Sequence, residues 1–433
     1  MTMCARGRGV ILLGSMEAWR RTQRAVWFAN LVTAAGMMSF LPFFPSHLQA
    51  LGLEDRGEIA TWAGVLYGAA PLSAAVMSPI WGAVGDRVGR KVMVLRSMLA
   101  IALFVGAMAF ATSPWQILVL RLLQGAFSGF VAPSLTLVSV AAPADRQGSI
   151  SASLQQAMTV GAVAGPALGE FARAHGGIRA AYLVVAALAL LSAGCVALFA
   201  QEHAGHRRVA VVERESGADS RGRASWRGAL RASFGDLAEL RTNRALRAAV
   251  VLTFWLQFGM GATTPMLELV VQDFPSDAAH VLPLSTGALF SAVAIANLVF
   301  LPWWGRFGDR HGHARALLAC SCLSGAVLAL HALPLSFDGL MAMRFALGAV
   351  MAGAGPLAFG VAAAESSTHG RGGAFGVVFA ARCLAVAIAA ALGGRGFGWL
   401  GARGLFLVAG GLVLASVAWC AARSRRTRPV GAP

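Results

Sequence analysis

The sequence predicts an all-α integral membrane protein, with twelve transmembrane helices in two pseudo-symmetric six-helix bundles. Three observations carry that prediction. Of 433 residues, 57% are hydrophobic and only 13% charged, where a soluble domain carries about a quarter. Twelve apolar runs of membrane-crossing length alternate with short polar segments. The second half of the chain also repeats the first in register.

Twelve helices of about 20 residues need about 240 residues, which leaves no room for a large extramembrane domain. The 51 glycines and 16 prolines agree, since both are commoner in membrane helices than in soluble ones. A net charge of +17 raises the question of nucleic acid, but the basic residues lie between apolar runs rather than on one face. The bilayer is the expected partner, and nucleic acid is not. Only Lys91 among the basic residues is a lysine, so the arginines carry no special message. Cys4, Cys195, Cys320, Cys322, Cys383 and Cys420 show neither a secreted disulfide spacing nor a paired CxxC. Inert thiols are expected.

The chain opens on a basic stretch whose apolar part, Gly9–Gly14, is too short for a signal peptide and lacks a cleavage site. Met16 begins a second lead-in, MEAWRRTQR, so Met1 and Met16 stand as alternative starts. Spans one to six are expected at about 25–51, 59–83, 92–112, 115–141, 148–172 and 178–200. Spans seven to twelve follow at about 246–272, 285–305, 314–332, 337–363, 372–394 and 402–422. Several exceed 20 residues, which tilt accommodates. The organisation is therefore a tail (1–24), a first bundle (25–200), a linker (201–245), a second bundle (246–422) and a tail (423–433).

Arginine placement sets the expected orientation. One side holds the N-terminal tail, the central linker, the C-terminal tail and most of the basic residues. The opposite loops hold only Arg56, Arg173, Arg179, Arg395 and Arg403, and Arg121, Arg344 and Arg382 lie inside spans. Both termini are thus expected in the cytoplasm. In the linker, Trp226, Leu230, Phe234 and Leu237 recur at helical spacing, as in a short interfacial helix. Glu202, His203 and His206 cluster there too, but a solvated linker is the better reading, and neither metal nor cofactor is expected.

The repeat is exact in offset. A shift of 223 residues superposes Gly36 on Gly259, Pro42 on Pro265, Gln49 on Gln272, Gly64 on Gly287, Pro79 on Pro302 and Trp81 on Trp304. It continues through Asp86 on Asp309, Arg87 on Arg310, Gly89 on Gly312, Arg121 on Arg344, Gly125 on Gly348 and Pro133 on Pro356. Glycine matches alone mean little in this composition, whereas Trp, Asp, Arg and Pro in register mean a duplication. Two parallel six-helix repeats with a site between them near the midplane is a transporter architecture.

Between spans two and three stands Gly82-Ala83-Val84-Gly85-Asp86-Arg87-Val88-Gly89-Arg90-Lys91. Its glycines allow a tight turn at the membrane surface, and its Asp can pair with neighbouring bases or a helix N-terminus. This resembles the G-x-x-x-D-R-x-G-R-K loop of the major facilitator superfamily. The second copy, from Gly305 through Asp309 and Arg310 to His313, is degenerate. In that family the loop locks the cytoplasmic side when the protein opens outward, so the resemblance implies a gate at Asp86, Arg87 and Arg90; topological anchoring is the plainer alternative.

Span four carries Arg121-Leu122-Leu123-Gln124-Gly125. A charge inside an apolar span is costly and is a functional hypothesis by default. The stretch is similar to the family's R-x-x-x-G motif, which implies a role for Arg121 in proton coupling; a hydrogen bond to span-one carbonyls is the alternative. Span five carries Gly161, Gly165, Pro166 and Gly169, small residues that permit close helix approach together with a bend. The pattern resembles the family's exporter motif, G-x-x-x-G-P-x-x-G. Glu170 stands where a further glycine is usual, and Ala387–Gly394 of span eleven lacks the Pro. Pro42, Pro45 and Pro265 are expected to bend the outer ends of spans one and seven.

The stretch from Leu41 to about Gly169 is similar to bacterial twelve-helix drug:proton exporters. Many of those carry a protonatable carboxylate deep in span one or four, and none stands here. Span one offers Asn30, Thr33, Ser39 and His47, and the nearest acids are Glu268 and Glu170. His47 titrates near neutrality when unperturbed, but a histidine at the membrane interface is the expected reading. Arg382, about ten residues into span eleven, lies near the midplane at 1.5 Å rise per residue. It has no counterpart in span five and is expected to face the cavity and disfavour permanent cations.

The resulting expectation is a monomeric, proton-coupled exporter of small amphipathic molecules in the cell inner membrane, working by alternating access. Uptake of a small organic anion or metabolite is the alternative. A membrane-embedded enzyme would need a clustered nucleophile, metal cage or carboxylate pair. A sensor would need a soluble domain, and ATP-driven transport a phosphate-binding GxxxxGK[ST] loop. None of these is present in the sequence.

Overall fold

The computed structural model describes residues 3–129, 133–135, 137–138, 147–201, 243–274, 285–333, 336–365 and 371–425. All regular structure among them is helical. Among the described residues, nine helical segments are long and apolar enough to cross a membrane. Two of these, Ser153–Phe199 and Gly376–Arg423, run 47 and 48 residues, too long for one crossing of about 20. Each folds back at glycine: Gly177 has φ 69° and Gly401 φ 65°. Those reversals separate span five from six and span eleven from twelve. Span four begins as Pro114–Phe127, capped by the Ser113 hydroxyl accepting from the Gln116 amide. Its continuation is only partly described, and the linker helix and the Glu202, His203, His206 cluster lie outside the described residues.

The first helix runs from Met3 to Phe40, so the backbone of the predicted tail continues the helix of span one instead of forming a separate element. In span ten the single predicted run is interrupted: Phe337–Met351 and Ala354–Glu365 are separate helices. The break at Gly353 lets the backbone pass within 2.7 Å, measured from an ideal Cβ, of the Trp304 ring. Apolarity is continuous across this break, and the signal for it is local: Gly353, Gly355 and Pro356 stand together there.

The two halves keep the same internal bonds. Trp81 Nε1 donates to the Ala126 carbonyl at 2.6 Å, and its repeat mate Trp304 donates to Ala349 at 2.9 Å. The prolines of spans one and seven give matching 3-10 turns, Leu41–Phe43 and Thr264–Met266. Gly89 and Gly312, at φ 108° and 87°, make matching one-residue reversals. Their amides bond back to the carbonyls of Gly85 and Gly308. The signature sequence is thus mostly helix end, and the turn itself is one glycine.

With each span crossing once, the start of the first helix and the end of the last fall on one side, here the termini face, with Gly89 and Gly312; Gly52, Gly177 and Gly401 fall on the opposite, far face. Two seams join the halves. Span two meets span eleven, where Gly64 and Gly68 admit the carbonyls of Ala390 and Ala387. Span five meets span eight, where Gly287 admits the carbonyl of Pro166. A Cβ on Gly64 would stand 2.0 Å from the Ala390 oxygen, so this approach requires glycine.

Candidate functional site

The exporter-like face of span five is a packing surface. Ideal Cβ atoms on Gly161, Gly165 and Gly169 would fall 2.3, 2.5 and 1.7 Å from the carbonyl oxygens of Leu31, Ala35 and Ser39. The motif therefore seats span five directly on the backbone of span one. Pro166, on the same turn, turns its own carbonyl toward Gly287 of the other half. In span eleven, Gly393 approaches the Ala262 carbonyl at 2.3 Å as Gly169 approaches Ser39. That pairing is offset by 224 residues, so the repeat has slipped one place by span eleven.

On the far face the halves are tied by reciprocal polar contacts. Glu268 of span seven accepts from the Ser46 amide at 3.0 Å and also from the Ser46 hydroxyl. Glu170 of span five accepts from the Gly287 amide and pairs with Arg173. Each half thus presents one buried carboxylate to the other, at 5% and 1% exposure. Gln49 and its repeat mate Gln272 exchange two hydrogen bonds, at 3.2 and 3.3 Å. Arg56 reaches the Leu269 carbonyl and Asp273, both at 2.6 Å; the ion pair is exposed and contributes little. Ser291 adds a bond to the Val163 carbonyl deeper along the span-five seam.

His47 stands five residues before the Gly52 turn of the far face. It is buried, with Nδ1 2.8 Å from the Tyr182 hydroxyl and its ring tilted on that of Tyr182. Tyr182 in turn lies near Arg121 and Glu268. The structure therefore connects three residues picked from the sequence through a tyrosine that was not. Ser46 was missed as well, because its role arises from a contact 222 residues away.

Arg121 is fully buried and well held. Nε donates to the Leu66 carbonyl at 3.0 Å, Nη1 to Gln124, and Nη2 to the Tyr67 carbonyl at 3.4 Å. Its guanidinium also lies 5.4–5.5 Å from the ring centres of Phe44 and Phe40, within cation–π range. The carbonyls belong to span two, not span one. Gln124 donates onward to Met37 Sδ. Asn30 is buried, and its Oδ1 finds no partner.

Arg382 is half-buried on span eleven, its Nη1 3.3 Å from where a Cβ on Gly355 would stand. Arg382 therefore sits beside span ten, nearer the termini face than Arg344. At the signature loop, Lys91 donates to the Ala197 carbonyl at 2.8 Å, and Gly85 packs near Met93. The side chains of Gly82, Asp86 and Arg87 lie outside the described set. In the second copy Asp309 is 74% exposed and 3.6 Å from His313, and Arg310 is exposed. Among the described residues no three His, Cys, Asp or Glu side chains form a metal cage.

Comparison with known proteins agrees with this architecture. The Major Facilitator Superfamily model matches residues 26–286 and 270–433. The chain is 29% identical over 336 residues to multidrug resistance protein MdtG of Proteus mirabilis, covering 78% of this chain and 79% of that protein. It is 27% identical over 416 residues to MdtG of Salmonella typhimurium, covering 94% and 97%. Among solved structures, the nucleoside transporter NupG superposes with a TM-score of 0.72 at 14% identity, over 93% of this chain and 99% of that one. The human organic anion transporter MFSD10 superposes with 0.65 at 18%, again over 93% and 99%; at such identities the likeness is one of fold. With matched halves, glycine-tight seams and a family model spanning both, the chain belongs to the Major Facilitator Superfamily and is a multi-pass secondary transporter, not an enzyme.

Proposed function

We propose that this protein is a monomeric exporter of small amphipathic compounds from the bacterial cytoplasm, driven by inward proton flow. Its halves, 25–200 and 246–422, rock about the two glycine seams. The observation that carries export is the span-five glycine face seated on span one, a packing that resembles the exporter motif of the family. The name multidrug resistance protein borne by its relatives supports the same reading.

Both termini are placed in the cytoplasm, where most of the arginines lie. The far face is then the outer one, and its contacts hold the protein closed to the outside. Glu268 and Glu170 are the proton-linked groups in this reading. Opening the outer face removes each from its donor in the other half, so gate position and proton occupancy are linked. Arg121, touching spans one and two and lying near Tyr182, transmits that change to the midplane. Asp86, Arg87 and Arg90 close the cytoplasmic side in the opposite state.

The test is transport of a panel of amphipathic dyes in proteoliposomes under an imposed pH gradient. Uphill dye movement opposite to the proton gradient is expected, abolished by a protonophore. Dye accumulating in the same direction as protons would favour uptake and overturn export. Purely downhill movement would overturn coupling.

A further inference from the structure

Arg121 and Arg344 are repeat mates, yet their surroundings have diverged. The side chains gathered about Arg121 have been replaced around Arg344. Gln124 corresponds to Leu347, Phe40 to Thr263, Phe44 to Leu267 and Tyr67 to Phe290. Arg344 is nevertheless 1% exposed, and its Nε and Nη1 are buried without a hydrogen-bond partner. The buried carboxylates among the described residues, Glu170 and Glu268, are both engaged at the far face. A guanidinium held in that condition costs several kcal/mol unless something completes it.

The groups around it point to what completes it. Across the boundary between halves, Tyr67 lies near Arg344 as well as Arg121. From span nine, His331 lies near Arg344 with its Nδ1 on the Val327 carbonyl, which leaves Nε2 a buried acceptor without a partner. His331 stands where the first half has Met108. Toward the termini face, Arg382 makes no hydrogen bond or ion pair among the described residues. Arg344 and Gly355, which Arg382 approaches, are eleven residues apart on span ten, on either side of its break. Two cationic side chains therefore stand at different depths beside span ten.

We propose that Arg344, with Tyr67 beside it, forms the subsite for an anionic headgroup (carboxylate, sulfonate or phosphate) on the transported amphiphile. Arg382 receives that group on its way in. This rests on the transport reading above and narrows its substrate class. The forked donors of a guanidinium match such oxyanions bidentately. The second copy lost its internal acceptor, Gln124 becoming Leu347, and the cargo supplies one in its place.

The decisive variant is Leu347→Gln, which rebuilds the first copy's i,i+3 Arg–Gln pair and so occupies the guanidinium without removing its charge. Arg344→Gln is the companion. Binding of naphthalene-2-sulfonate, its neutral sulfonamide and a naphthyl trimethylammonium is measured on purified protein in nanodiscs. The parent is expected to prefer the sulfonate. Both variants should weaken sulfonate binding by roughly tenfold, as for loss of a charged hydrogen bond, and leave the sulfonamide within about twofold. Thermal midpoints read alongside identify a variant that has failed to fold, and the other then decides. The proposal is overturned if the parent shows no sulfonate preference, if folded variants bind all three probes as the parent does, or if they lose all three equally. Failure of the transport reading is separate: it appears as no uphill movement of any probe by the parent, with the binding result standing by itself.

Discussion

The two halves share their skeleton and differ in their charges. Trp81 and Trp304 make the same hydrogen bond, Gly125 and Gly348 admit matching backbone at Ala70 and Val293, and Gly89 and Gly312 make the same reversal. Yet Arg121 is saturated where Arg344 is orphaned, and Glu170 faces a seam at which span eleven has Gly394. A duplicated frame is constrained wherever helices touch, because a Cβ there meets a carbonyl. It is free wherever a polar side chain needs only some partner. Specialisation has accordingly fallen on the charges.

The largest asymmetry is expected at the signature loops. Asp86→Asn should reduce gradient-driven transport to roughly a tenth or less, as expected where an interaction of about 1–2 kcal/mol or more is lost from the rate-limiting state. Its mate, Asp309→Asn, removes a carboxylate that is 74% exposed and should leave transport within about twofold. Equal small losses, measured as initial rates at matched protein insertion, would mean that both loops only anchor topology. Next comes stability. Arg121→Leu strips three hydrogen bonds and should cost about 3 kcal/mol. Arg344→Leu removes an unsatisfied buried charge and should leave thermal unfolding unchanged or raised. Equal destabilisation of the two would break the contrast between them.

Much of this was legible in the sequence. Crossings were legible because an apolar run of membrane length is rarely anything but a span, and both reversals, at Gly177 and Gly401, fall between predicted spans. The repeat was legible through Trp81, Asp86 and Arg121, residue types rare enough to fix a register. The break at Gly353 lies in unbroken apolarity, and only the local grouping of Gly353, Gly355 and Pro356 marks it. The Ser46–Glu268 contact and the His47–Tyr182 pair were hidden because tertiary proximity has no local signature. Arg344 lies between these cases: pairing Gln124 with Leu347 at the repeat offset is a signal in the sequence, but its meaning needs the bonds of Arg121.

A smaller effect tests the glycine face. Gly165→Ala would put a methyl 2.5 Å from the Ala35 oxygen and 2.7 Å from Met38 Cβ, and should cost about 1–3 kcal/mol. Gly194, on span six, has open space around the same position. Gly194→Ala should therefore stabilise by about 0.5–1 kcal/mol through helix propensity. Thermal midpoints of the two in one detergent give the comparison. A tolerated Gly165→Ala would mean that span five does not rest on span one as tightly as the motif requires.

The smallest effect is at the pair that spans the symmetry itself. Gln49 and Gln272 occupy equivalent positions and bond only to each other, each donating once. Replacing either by Ala breaks both bonds at once, so the two single variants should behave alike. Each should lose no more than about 0.5–1 kcal/mol, the scale of an exposed neutral hydrogen bond. The double variant should lose no more than either single, because nothing is left for the second substitution to remove. That non-additivity is the mark of a direct pair. A double-mutant cycle on thermal unfolding measures it. If the losses add, the glutamines act separately, and the far face is held by Glu268 and Glu170 without a contribution from the symmetric pair.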